Sequence, residues 1–211
     1  MTGLPALRNL FLACLGTIAT VCFTGCESQT FTLGRDSRNK MIVSVRDQKM
    51  LLVRDGSPIK AYKISTSKFG LGDRPGSNCT PIGRLQVAKK IGDNAPLGSV
   101  FKTRRPTGEV LKPNAPGRDP VVTRIMWLTG TESRNQNAFR RTIYIHGTPE
   151  ERRLGSPASF GCIRMGSTDV ADLYNRIGTG ADVFIIRGSI HSNKGGQESA
   201  SADTHTFGPR G

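Results

Sequence analysis

Between Met41 and Ser65 the chain reads MIVSVRDQKMLLVRDGSPIKAYKIS, a set of short apolar runs broken at Arg46-Asp47-Gln48 and again at Asp55-Gly56. Apolar runs of this length, divided by turn-forming residues, are hairpin signals. The spacing predicts a three-strand meander at about 41–46, 49–54 and 58–64. Further strands are expected at Arg84–Lys90, Val122–Leu128, Thr142–His146 and Asp182–Arg187. The 25 glycines and 12 prolines suit a mainly β chain with many turns, and 211 residues suggest one domain with tails.

One helix is expected, over about 167–177. Ser167 can cap it, Asp169 lies in the first turn, and Gly178 follows its end. Val170, Leu173, Tyr174 and Ile177 fall at i, i+3, i+4 and i+7, which makes one apolar face for core packing. A Gly-rich loop occupies 67–83. Residues 91–120 are rich in proline and glycine and show little periodicity, so they read as a loop, either a cover over a site or a variable surface segment. Trp127 reads as a core residue.

The first 25 residues read as an export signal. Arg8 precedes an apolar run from Leu10 to Phe23 that is too short to span a bilayer. Phe23-Thr24-Gly25-Cys26 resembles a bacterial lipobox with Phe in place of the usual Leu. Lipidation of Cys26 is the expectation, with ordinary cleavage nearby as the alternative. Residues 27–40 read as a polar tether and 188–211 as a disordered tail. The mature protein is expected in the cell envelope or periplasm, lipid-anchored to a membrane.

With Cys14 and Cys22 removed and Cys26 lipidated, Cys79 and Cys162 are the cysteines left in the domain. In an exported protein they could form a structural disulfide. No Cys-x-x-Cys pair exists, which argues against a zinc or thioredoxin-like site. The net charge of +14 favours an anionic partner such as a membrane surface or an acidic polymer. No nucleic-acid motif accompanies it.

The stretch TIYIHGTPEERRLGSPASFGCIR, 142–164, brings His146 and Cys162 into one short segment. A thiol becomes a good nucleophile beside a base or a positive charge. The other histidines, His191 and His205, fall in the tail. If a cysteine here does chemistry, the pair is Cys162 with His146.

This stretch resembles the signature of the L,D-transpeptidase (YkuD-type) catalytic domain: a histidine, a spacer, then Ser/Thr-His-Gly-Cys, an apolar residue and Asn or Arg. The matching pieces are His146 and Ser159-Phe160-Gly161-Cys162-Ile163-Arg164. The opening hairpins, the Cys79-Thr80-Pro81-Ile82-Gly83 run and the Leu-Tyr helix are also similar, so the resemblance covers about 41–187. It implies a β-sandwich of mixed sheets with one main helix, and no metal or cofactor. It implies that Cys162 attacks the bond between a diamino acid and D-Ala in a peptidoglycan stem, with His146 as base. An amine from a second stem then forms a 3→3 cross-link. The Gly147 carbonyl would orient the imidazole, and the Cys162 N–H with Gly161 would face the oxyanion. Ser159, Phe160 and Arg164 would contact substrate, with a structural ion pair as the alternative for Arg164. Cys79 would lie near the site. Phe160 departs from the family, which usually has a second histidine there. Two other functions stay open: trimming of stems as an L,D-carboxypeptidase or endopeptidase, and peptidoglycan binding by a non-catalytic lipoprotein. No obligate protein partner is implied.

Overall fold

A computed structural model describes residues 34–190. The export signal, Cys26, residues 27–33 of the expected tether, and His191 and His205 lie outside the described residues.

Ten strands and one helix follow in the order β1 (Asn39–Ser44), β2 (Lys49–Arg54), β3 (Ser57–Ser65), β4 (Gly83–Ile91), β5 (Ser99–Lys102), β6 (Arg105–Val110), β7 (Val121–Gly130), β8 (Tyr144–Gly147), β9 (Ile163–Met165), α1 (Ser167–Arg176) and β10 (Asp182–Ile186). All ten strands belong to one mixed sheet in the order β4-β10-β1-β2-β3-β9-β8-β7-β5-β6. Strand β4 also pairs with β7, so eight strands close into a ring and the β5–β6 hairpin hangs from β7. Two pairs are parallel, β1 with β10 and β8 with β9.

Alternation along the strands fills the ring. Met41 and Val43, Met50 and Leu52, Tyr62 and Ile64, Leu85 and Val87, Met126 and Leu128, and Val183 and Ile185 all point into one buried core. The face of α1 formed by Val170, Leu173 and Tyr174 joins that core. A smaller cluster of Phe101, Ile125 and Tyr144 forms elsewhere, with Val121, Trp127 and Cys162 packed against it.

Four local features differ from the sequence expectations. The expected loop at 91–120 contains the β5–β6 hairpin, whose turn residues Thr103 and Arg104 have φ of +49° and +66°. The helix is not capped by the Ser167 side chain: Gly166 is the N-cap residue, and Glu151 Oε1 accepts the Ser167 N–H at 2.8 Å. Its C-terminus does not end on a left-handed Gly178. Lys90 Nζ instead donates to the Tyr174 and Ile177 carbonyls at 2.8 and 2.7 Å, and Asp36 Oδ2 accepts the Gly178 N–H at 2.7 Å. A cation at a helix C-terminus satisfies carbonyls that the helix leaves unpaired. The domain also extends beyond 41–187. Asp36 is tied to the helix end, β1 starts at Asn39, and the Ile190 N–H reaches Asp47 Oδ2 at 2.8 Å.

Candidate active site

Strands β8 and β9 run parallel with Ile145 opposite Ile163 and His146 opposite Arg164. Ile145, Ile163 and Met165 point into the main core, so their neighbours Tyr144, His146, Cys162 and Arg164 must face the other way. His146 on β8 and Cys162, the residue just before β9, therefore share one face, offset diagonally by two residues. A strand spacing of ~4.8 Å and a rise of ~3.3 Å per residue put their backbones ~8 Å apart. That span is one that an imidazole and a thiol can close between them.

His146 is buried, with 5% of its surface exposed. Its Nδ1 lies 2.8 Å from the Gly147 carbonyl oxygen. A carbonyl only accepts, so Nδ1 carries the proton. Burial pushes the histidine pKa down to about 4, with the Gly147 contact opposing that shift. At neutral pH the ring is uncharged, and Nε2 is the atom left free to take a proton. Gly147 has no room for a side chain: a Cβ there would lie 2.6 Å from the Val122 carbonyl oxygen. Its carbonyl is thus held where β7 and β8 pack closely.

Cys162 is partly exposed, and its thiol is free. Its Sγ accepts the Tyr144 N–H at 3.4 Å and lies 3.5 Å from the Thr142 carbonyl. Burial pushes the thiol pKa up to about 11, while the Tyr144 N–H and the Arg141 charge pull it down. The resting pair is thus thiol and neutral imidazole.

Gly161 turns the chain into Cys162 with φ +114°, a conformation that L side chains rarely adopt. Ser159, only 2% exposed, spends its hydroxyl on this turn. It donates to the Cys162 carbonyl at 2.6 Å and accepts the Gly161 N–H at 3.2 Å. Thr80 Oγ1 donates to the Gly161 carbonyl at 3.0 Å and accepts the Ser67 N–H at 3.0 Å. Arg141 and Asp73 form a buried ion pair at 3.0 Å, and Arg141 also donates to the Cys79 carbonyl at 2.7 Å. The Cys79 carbonyl borders Gly161, while the Cys79 thiol turns to the Phe69 carbonyl at 3.1 Å. Cys79 and Cys162 are both free thiols, so the disulfide reading has no support.

Arg164 occupies the ion-pair alternative. Its buried guanidinium contacts Asp119, Glu150 Oε2 at 3.3 Å, and the Ala158 carbonyl. Burial lowers its pKa. Its Nε is buried and has no partner among the described residues. Phe160 stands outward, 63% exposed.

Two clefts meet at Cys162. One is lined by Asp119, Val121, His146, Ser159, Phe160, Cys162 and Arg164. The other is lined by Gly76, Asn78, Arg141, Thr142, Ile143, Phe160 and Cys162. Phe160 and Cys162 belong to both. Asp119, Glu150, Arg141 and Thr142 were not singled out from the sequence as site residues. Asp119 comes from a distant segment, while Arg141, Thr142 and Glu150 lie beside or within 142–164 with nothing local to mark a role. Among the described residues no group of three or more His, Cys, Asp or Glu side chains is placed to hold a metal ion. No helix among the described residues is long and apolar enough to cross a membrane.

The family model described as the L,D-transpeptidase catalytic domain, YkuD, matches residues 38–185. No curated protein is a significant match to the chain. Solved structures with partial likeness include an L,D-transpeptidase from Mycobacterium smegmatis, at 16% identity and TM-score 0.46, covering 71% of this chain and 58% of that one. Another is from Mycobacterium tuberculosis, at 17% and 0.47, covering 71% and 58%. A third is from Xylanimonas cellulosilytica, at 17% and 0.46, covering 72% and 61%. The chain spans about three-fifths of the length of these proteins.

Proposed function

The chain belongs to the YkuD family of L,D-transpeptidase catalytic domains, and we propose that it is a peptidoglycan L,D-transpeptidase working through a Cys162 acyl-enzyme. The observation that carries this reading is the pairing on β8 and β9. A neutral histidine with its tautomer fixed and a thiol share one strand face and one cleft.

Acylation begins with Cys162 Sγ attacking the carbonyl of the diamino acid that precedes D-Ala. The thiol proton passes to His146 Nε2 as the S–C bond forms. Because the thiol pKa is high and the histidine pKa low, proton transfer accompanies attack rather than preceding it. The Gly147 carbonyl holds Nδ1–H throughout and favours the transient imidazolium, the role a third group plays in catalytic triads. The developing oxyanion is assigned to the Cys162 N–H. The Gly161 N–H is already directed at Ser159 Oγ and serves the turn. Collapse breaks the C–N bond, His146 returns its proton to the departing D-Ala amine, and a thioester remains.

An acceptor amine then attacks the thioester, loses its proton to His146 and restores the thiol. The product is a 3→3 cross-link. Water in place of the amine gives hydrolysis and a trimmed stem. Two clefts converging on Cys162 suit a reaction with separate donor and acceptor. The +14 charge suits a carboxylate-rich polymer. Export and lipid anchoring at Cys26 would hold the domain at the cell envelope.

The test is intact-protein mass spectrometry after incubation with a carbapenem such as imipenem, beside Cys162→Ala, followed by stem-peptide turnover with rival acceptors. A stable adduct on wild type alone, with cross-linked product, is the expected result. No adduct on folded protein would overturn the enzymatic reading and favour a non-catalytic peptidoglycan-binding protein.

A further inference from the structure

The large apolar side chains exposed among the described residues include two aromatics, Phe69 and Phe160, and these stand together. Their ring centroids are 5.2 Å apart with planes tilted by 52°. Lys68 Nζ lies 4.5 Å from the Phe160 centroid and 5.2 Å from that of Phe69. The two loops that carry them are tied to each other: Lys68 N–H donates to the Ser159 carbonyl at 3.1 Å, and Ser67 and Ser159 form a β-bridge. Phe69 N–H is in turn held by Ser67 Oγ at 2.9 Å. The pair is thus a fixed platform rather than two loose side chains: Phe160 lines both clefts, and Phe69 stands beside it. Isolated exposed apolar residues need no explanation, but a paired aromatic surface at a cleft mouth marks a binding surface.

We propose that Phe160, Phe69 and Lys68 form a sugar-binding platform that seats a pyranose ring of the glycan to which the stem is attached. The proposal rests on the peptidoglycan reading above. A stem built of alanine, glutamate and a diamino acid carries no flat apolar face, whereas a pyranose presents C–H bonds on one face that can lie against an aromatic ring. The Lys68 ammonium offers donors to hydroxyl or acetamide oxygens at the ring edge. The reach agrees as well. The attacked carbonyl belongs to the third stem residue, so the sugar lies about three residues away, ~10 Å along an extended chain. Phe160 is two residues from Cys162, at most ~7 Å between Cα atoms, and its ring extends farther.

Calorimetric titration tests this with three probes: the bare stem tetrapeptide, the same stem on its disaccharide, and a peptide-free N-acetylglucosamine oligosaccharide. On wild type the disaccharide form is expected to bind about tenfold more tightly than the bare stem, the contribution of about one stacked ring. That ratio is expected to fall to near one in Phe160→Ala and in Phe69→Ala, and to return in Phe160→Tyr. An equal ratio in wild type and Phe160→Ala would overturn the proposal. Loss of oligosaccharide binding in Phe160→Ala, with no stem binding or turnover in any form, would uphold the platform while removing the transpeptidase reading. No binding of any probe to folded wild type would remove both.

Discussion

Arg164→Met separates the two roles that the sequence left open for this arginine. The guanidinium is buried between Asp119 and Glu150 and also meets the Ala158 carbonyl. Methionine keeps the apolar length of the side chain, so the main loss is the charge. Removing one partner of a buried ion cluster costs ~3–5 kcal/mol, because the remaining charges stay desolvated. Here the side chains of Asp119 and Glu150 are 25% and 16% exposed, so water reaches both carboxylates and the lower end applies. A loss of about 3 kcal/mol in a domain of this size lowers Tm by roughly 6–12 °C, at ~2–4 °C per kcal/mol. Thermal unfolding at pH 7 followed by circular dichroism reads this directly. Adding Asp119→Asn should recover part of the loss, since it removes one stranded charge. The reasoning fails if Arg164→Met shifts Tm by under ~2 °C while raising KM for stem peptide tenfold or more. Arg164 would then be a ligand for a substrate carboxylate.

Four further outcomes are expected. Gly161→Ala should cost at least ~1–2 kcal/mol of backbone strain, since φ is +114° and a Cβ would meet the Cys79 carbonyl at 3.1 Å. The carbapenem acylation rate should fall tenfold or more, and an unchanged rate would refute this account of the turn. The His146 pKa falls from 6.5 to about 4 on folding, so the unfolded chain binds the extra proton between those values. Stability should therefore be full above pH 6.5 and decline by about 3 kcal/mol as pH falls to 4, a slope absent in His146→Gln denaturation curves. The acylation rate should be flat from about pH 5 to 10 and drop near pH 4, whereas a steep rise through pH 8–9 would indicate attack by a preformed thiolate. Lys90→Met should cost about 1–3 kcal/mol in thermal unfolding, because two carbonyls at the end of α1 lose their charged donor.

The opening meander was legible because its apolar runs alternate and its breaks carry turn chemistry; Asp55, at the second break, has φ +50°. That His146 and Cys162 would come together was legible because both lie at strand ends within one short segment. Strand β6 was not: RPTGEV is exposed at every position, and the turn before it uses Thr103 and Arg104 rather than Asn or Gly. Strand β9 is three residues long, too short to show a period. The helix face was read correctly, while its caps were not, because Glu151 and Lys90 reach it from other segments. Arg164 illustrates the same limit. Its partners Asp119 and Glu150 are 45 and 14 residues away in sequence, and pairing across such distances is a property of the folded ring.

Ring closure also governs how this protein meets other copies of itself. A strand joined on both sides offers no backbone template for another chain. Among the described strands, the margins left open include the outer side of β6 and the part of β3 before Ile64, where pairing with β9 begins. Both carry a proline and cations: Arg105 and Pro106 on β6, Pro58, Lys60 and Lys63 on β3. Proline removes a donor, and like charges repel a matching edge. The closed ring and these guarded margins thus leave little open backbone on which a neighbouring chain could add a strand.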